Sequence, residues 1–144
     1  MKIEKNRSRV RKFAALRSER GQNLVEFALV IPVLLLLVFG IAEFGRAWMT
    51  QNIMTGAARE AARIAVVQAS GGGWNGTAAN ARATQILASA GIAATVSVPD
   101  PGTQYGDVTA TVNYNFPLVI VGFIPGLDSP ALSLTSTTTM RKEY

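Results

Sequence analysis

The stretch Arg20-Gly21-Gln22-Asn23-Leu24-Val25-Glu26-Phe27 is where this chain changes character. A basic leader ends there, and an apolar run of sixteen residues without a charge, Phe27 to Ala42, begins. Glu26 stands directly at the join. As a helix rising 1.5 Å per residue, that run covers about 24 Å, slightly less than the hydrocarbon core of a bilayer. Extending it to Leu24–Trp48 gives about 37 Å, so the sequence predicts one membrane-spanning helix over 24–48. An acid in a membrane-bound helix is costly, roughly 2.5–3.5 kcal/mol at the helix centre on insertion scales, which makes Glu26 a candidate functional residue.

Working outward, the net charge of +5 belongs to the leader alone. Residues 1–20 carry Lys2, Lys5, Arg7, Arg9, Arg11, Lys12, Arg17 and Arg20 against Glu4 and Glu19, whereas the rest of the 144 residues is close to neutral. Such an arm, expected to be disordered or weakly helical on an anionic membrane surface, holds the N-terminus in the cytoplasm by the positive-inside rule. The remainder has no basic field for phosphates, which argues against nucleic acid as a partner. At the far end of the span, Glu43 and Arg46 are one turn apart and can pair, and Trp48 suits the headgroup level. These three are the expected membrane-interface residues. Pro32 removes one backbone donor inside the span, so a kink or loosening is expected there.

Beyond the span about 100 residues remain, enough for one modest core. A helical pattern continues over 49–68, with Met49, Ile53, Ala57, Ala61 and Ile64 at helix spacing and Arg59, Glu60 and Arg63 towards the other side. Ala57, Ala61 and Ala65 form a row of small residues, and Ala58 and Ala62 another. These rows suit close packing either on the chain's own domain or on another subunit. Ser70 to Gly76 reads as a linker, since no strand precedes the glycines and no Gly-Lys-Ser/Thr follows them. Trp74 is read as an anchor onto the domain.

A second helix is expected over 78–90, capped by Thr77 and ended by Gly91. Alternation then predicts a strand through Ile92, Ala94, Val96 and Val98, a turn at Pro99-Asp100-Pro101-Gly102, and a longer strand. The longer strand has Val108, Ala110, Val112, Tyr114 and Phe116 on one face. A connection over 117–130 and a last strand over 132–140 complete a small α+β head with about three antiparallel strands. The domain reading is leader 1–21, span 22–48, amphipathic extension 49–68 and head 69–144.

No catalytic constellation is expected. The chain has neither Cys nor His, its acids beyond the leader are scattered, and Lys142 is its one lysine there. Thiol nucleophiles, soft-metal sites and the commonest general base are therefore missing, so no catalytic residue, metal or cofactor is assigned. Asp100 and Asp107 read as solvated surface rather than a calcium site.

The order Gly21, Gln22-Asn23-Leu24-Val25-Glu26-Phe27 resembles a type IV prepilin processing site. There a membrane aspartic peptidase cuts after the glycine on the cytoplasmic side and leaves Glu as the fifth mature residue. The longer run GQNLVEFALVIPVLLLLVFGIAEFGRAW, followed by AAREAARIAVV, is similar to the TadE-like minor pilins, or pseudopilins, of the tight-adherence (Flp) pilus system, from about Arg20 to Val67. Major Flp pilins carry Tyr after the Glu, whereas this chain has Phe27. That difference and the large head point to a minor component. The resemblance implies Gly21 and Gln22 as the processing site and Glu26, Phe27 and Pro32 in assembly. Its implied partners are the membrane, prepilin peptidase, other pilin or minor pilin subunits and the assembly platform. It places the chain in the bacterial inner membrane with the head outside, or in an extracellular pilus after processing, with adhesion or biofilm formation as the role. Two alternatives stay open: an envelope protein that keeps its leader, and a secreted protein released after Gly40-Ile41-Ala42 by signal peptidase.

Overall fold

The structure, a computed structural model, describes residues 4–67, 73–102, 106–119 and 131–142, with side chains from Gly21 onward. Two helices and three strands follow in the order α1 (Glu4–Ala65), α2 (Gly76–Ser89), β1 (Thr95–Ser97), β2 (Asp107–Pro117) and β3 (Ala131–Arg141). The architecture is α+β, as expected: a long apolar N-terminal helix, a second helix and a three-stranded antiparallel sheet in the order β1-β2-β3. By contacts the chain divides into two compact units, Met1–Ile41 and Ala42–Tyr144.

The first unit is helical from Glu4, so the leader backbone is more regular than the expected disordered or weakly helical arm. Its composition accounts for this: Arg, Lys, Ala, Leu and Glu are strong helix formers, and no Gly or Pro interrupts them before Gly21. Pro32 lies inside α1 and the helix continues through it. The carbonyl of Ala28 loses its usual amide partner there, because proline has no N–H to give.

In the second unit α1 supplies one wall of the core. Met54, Ala57, Ala58, Ala61, Ala62 and Ala65 are fully buried with Ala79, Ala83 and Leu87 of α2 and Val108, Ala110 and Val112 of β2. Both alanine rows are thus used within the head, which decides between the two packings the sequence allowed. The buried stripe is also rotated from the expected one. Met54 and Ala58 lie at its centre, Ile53 and Ile64 are half-buried, and Met49 is exposed.

α1 ends at Ala65, and a turn follows in which Val66 N–H donates to the Ala62 carbonyl. Ser70, Gly71 and Gly72 of the expected linker, with Gln68 before it, lie outside the described residues. α2 begins two residues before its expected start. Asn75 rather than Thr77 takes the N-cap position, and its carbonyl accepts from Ala79 N–H at 3.1 Å. The Asn75 side chain does not cap the helix but donates from Nδ2 to the Ile64 carbonyl at 3.4 Å. The end of α2 follows expectation. Gly91 has φ 71°, its N–H donates to the Ala88 carbonyl, and Ile92 N–H donates to the Leu87 carbonyl. This pair of bonds is the Schellman closure, completed by the buried contact side of Ile92 and Leu87.

That closure shortens the first strand. Ile92 has spent its amide on the helix end, and Pro99 has none to give, so only Thr95–Ser97 pair with β2. The alternation still holds, with Ile92 and Val98 buried and Ala94 and Val96 half-buried. β2 and β3 run antiparallel over their full lengths, from Asp107 opposite Arg141 to Pro117 opposite Ala131. Val108, Ala110, Val112 and Phe116 are buried on the inner face, with Tyr114 half-buried among them. The outer face pairs Thr109 with Thr139, Thr111 with Thr137, Asn113 with Thr135 and Asn115 with Ser133. Thr109 and Thr139 share a hydroxyl contact of 3.1 Å, and Thr135 Oγ1 donates to Asn113 Oδ1 at 2.8 Å. The expected turn is present too: Gly102, at φ 67°, donates its N–H to Asp100 Oδ1 at 3.0 Å. Residues 120–130 of the expected connection lie outside the described residues.

Candidate functional site: the exposed apolar helix and its flanks

The sequence places its candidate residues along α1 in two groups. In the first unit Gly21, Gln22, Glu26, Phe27 and Pro32 are all exposed, and between Gly21 and Ile41 only Ile31 is half-buried. Among the described residues no hydrogen bond or ion pair reaches Glu26. The most apolar 18-residue window of this helix has a mean hydropathy of 2.8, and none of it is buried by the rest of the chain. A soluble protein does not leave such a surface in water, since each exposed leucine or phenylalanine forgoes about 1.5–3 kcal/mol of burial. By length and composition this is the one helix among the described residues able to cross a membrane. Gly21 and Gln22 lie within α1 itself, so the bond between them is in helical backbone.

The second group lies in the head unit and is tied to it. Arg46 Nη1 donates to both carboxylate oxygens of Glu43, at 2.8 and 2.9 Å, as the one-turn spacing led us to expect. Glu43 Oε1 also accepts from the backbone N–H of Val119 at 3.0 Å, and the Arg46 guanidinium stands 4.8 Å from the centre of the Phe116 ring. Trp48 is exposed and stacks on Phe44 with ring centres 6.2 Å apart. The Glu43–Arg46 pairing was legible from spacing. The bonds from Val119 and Phe116 were not, because they join positions about seventy residues apart with no local signal.

Further along α1 a second tie joins helix to sheet. Gln51 Nε2 donates to the Thr135 carbonyl at 3.0 Å. Thr55 Oγ1 donates to the Gln51 carbonyl at 2.8 Å and lies 3.0 Å from Ser136 Oγ. With its one proton used on Gln51, Thr55 accepts from Ser136, which satisfies the sole buried polar residue of the head core among the described residues. One turn from the end of α1, Arg63 forms a two-pronged pair with Glu60, with Nε and Nη2 each at 2.9 Å from a carboxylate oxygen. That hydrogen bond holds the Glu60 carboxyl below its ordinary value and raises the Arg63 guanidinium above its own.

Among the described residues no group of three or more acids, cysteines or histidines is brought together to hold a metal. Asp100 is occupied in its own turn. What the first unit offers is surface, a bare apolar helix with one carboxylate near the start of its uncharged run.

Neither a curated protein nor a solved structure matches this chain. A family model described as TadE-like protein does match, over residues 21–63. The matched segment starts at the glycine of the candidate processing site and takes in the exposed run, the Glu43–Arg46 pair and most of the buried alanine rows. Over this helix the chain is similar to TadE-like proteins, and such a match fits a membrane-anchored protein associated with the Tad pilus.

Proposed function

We propose that this protein is a prepilin-like minor subunit of a Tad/Flp-type pilus. It is cut after Gly21 by prepilin peptidase and works by assembly rather than by catalysis. One observation carries the reading: the exposed apolar stretch of α1 from Gly21 to Ala42 bears a single carboxylate, Glu26, with no partner among the described residues, five positions past Gly21. Cutting there removes the basic leader and creates an α-amino group at Gln22, protonated at neutral pH. A neighbouring subunit's new amine then meets the Glu26 carboxylate inside the helix bundle. Leaving that acid unpaired in an apolar setting is costly, so the pair favours docking in register. Phe27 and Pro32 lie on the same stretch of helix as Glu26, on other sides of it. Before assembly the protein rests in the inner membrane with its N-terminus inside and its head outside, in contact with the assembly platform and other pilin subunits. The finished pilus supports adhesion and biofilm formation.

N-terminal sequencing of the mature protein tests the processing. A start at Gln22 supports the reading, a start at Met1 indicates an anchored protein that keeps its leader, and a start at Glu43 indicates release by signal peptidase. The Glu26→Ala variant tests assembly. It is expected to be cleaved normally but to be depleted from sheared pili, and normal incorporation would overturn the role given to Glu26.

A further inference from the structure

The chain enters the head unit at Ala42, the last residue of the uncharged run. One residue later Glu43 binds both Arg46 and the Val119 amide, while Arg46 lies over Phe116. These contacts hold the exit of β2 against the first turns of helix in this unit. β3 starts beside it, with Leu132 opposite Phe116 and Ala131 opposite Pro117. The same end therefore gathers Phe44, Trp48, Val119 and Leu132, four large apolar side chains that are all about half exposed or more. The opposite end of the sheet carries Asp107 facing Arg141, and the outer face is lined with Thr, Ser and Asn. With Met49 beside them, Phe44, Trp48, Val119 and Leu132 make up most of the exposed large apolar side chains of the described head, Val67 past the end of α1 being the exception.

We propose that this end of the head is an interfacial membrane-binding surface: Val119 and Leu132, with Phe44 and Trp48, lie in the lipid headgroup layer. The inference rests on the reading of 24–48 as a membrane span. Depth follows from the helix rise. Glu43 to Trp48 is about 7.5 Å along the axis, and the headgroup layer on each side of a bilayer is about 5–8 Å thick. A group hydrogen-bonded to Glu43 shares that layer. The charges there are suited to it, because Glu43 is only 12% exposed and is matched by Arg46 and the Val119 N–H, so no lone ion enters a poorly solvating region. The aromatic rings at 44 and 48 are of the kind that settle at this depth. Continuity with the span selects lipid as the occupant over a second protein copy.

The absence of native cysteine permits single-site labelling. The full chain is reconstituted in phosphatidylcholine–phosphatidylglycerol vesicles with an environment-sensitive fluorophore at Val119→Cys, Thr137→Cys or Leu34→Cys. Lipids spin-labelled near the headgroup are expected to quench the Val119→Cys label at least about twofold more than the one on the outer sheet face at Thr137→Cys. Lipids spin-labelled deep in the acyl chain are expected to quench the Leu34→Cys label. Quenching at Leu34→Cys together with equal quenching at the two head positions overturns this inference and leaves the span intact. No quenching at Leu34→Cys overturns the span reading and the inference with it. A Val119→Cys label shielded from both lipid and aqueous quenchers shows a protein partner and overturns the choice of lipid. Adding Glu43→Ala is expected to lower quenching at Val119→Cys towards the Thr137→Cys level, and unchanged quenching overturns the tether.

Discussion

A Cβ built on Gly76 would fall on the Trp74 indole, with Cε2 only 2.8 Å away. Trp74 packs half-buried against the head core, with the Lys142 ammonium 5.6 Å from its ring centre, and closes over the start of α2. Gly76→Ala is therefore expected to destabilise the head by about 1–3 kcal/mol, the usual cost of forcing an extra methyl into a packed site, as measured by urea unfolding. Gly91 is constrained for a different reason: it holds φ 71° with open space around it, so Gly91→Ala should cost about 1–2 kcal/mol through backbone strain alone. Gly91 was readable in the sequence because a glycine just past a helical pattern has one common use, and Trp74 because a lone indole after glycines tends to anchor. Gly76 was not readable as a packing residue, since what excludes a side chain there is a ring placed by the tertiary fold. Glu60 gives a pH test. Its pairing with Arg63 lowers its carboxyl in the folded state, so its contribution is fully present above the unfolded glutamate value and is lost as pH falls through the folded one. Because the pair is exposed, the effect is small, and it should vanish from the acid limb of the stability–pH curve in Glu60→Gln.

Among elements, the α1 segment over 54–65 shows what periodicity conveys and where it stops. Apolar spacing correctly indicated a helix with one packed side, but alanine is too small and too common a helix former to fix the centre of that side. The true stripe centres on Met54 and Ala58, and Met49 falls outside it. Two substitutions on this helix should diverge. Ala61→Leu adds bulk at a fully buried contact and is expected to cost about 1–3 kcal/mol. Gly56→Ala meets nothing within 4 Å on an exposed face and should stabilise by about 0.5–1 kcal/mol, both read as shifts in the unfolding midpoint. β2 was legible in full because its alternation is unbroken and its two faces differ in chemistry. β1 was over-extended because alternation cannot show that the Ile92 amide is already committed to the end of α2.

For the whole molecule, the abrupt change in charge and hydropathy at Arg20–Phe27 marked where the long apolar part of α1 begins. Long-range ties such as Glu43 to Val119 and Thr55 to Ser136 had no counterpart in the sequence, because hydrogen bonds between distant positions leave no periodic trace. The candidate residues were legible as a linear pattern because they follow one another along a single helix. One feature of the head acts at this scale as well. Between Thr109 and Asn115, and across to Ser133 through Thr139, the outer sheet face consists of hydroxyls and amides, with Asp107 and Arg141 only at its rim. None of those inner groups gains or loses a proton across the ordinary pH range, and none depends on counterions. As salinity and acidity shift, this face keeps the same hydration and presents the same appearance to whatever it meets.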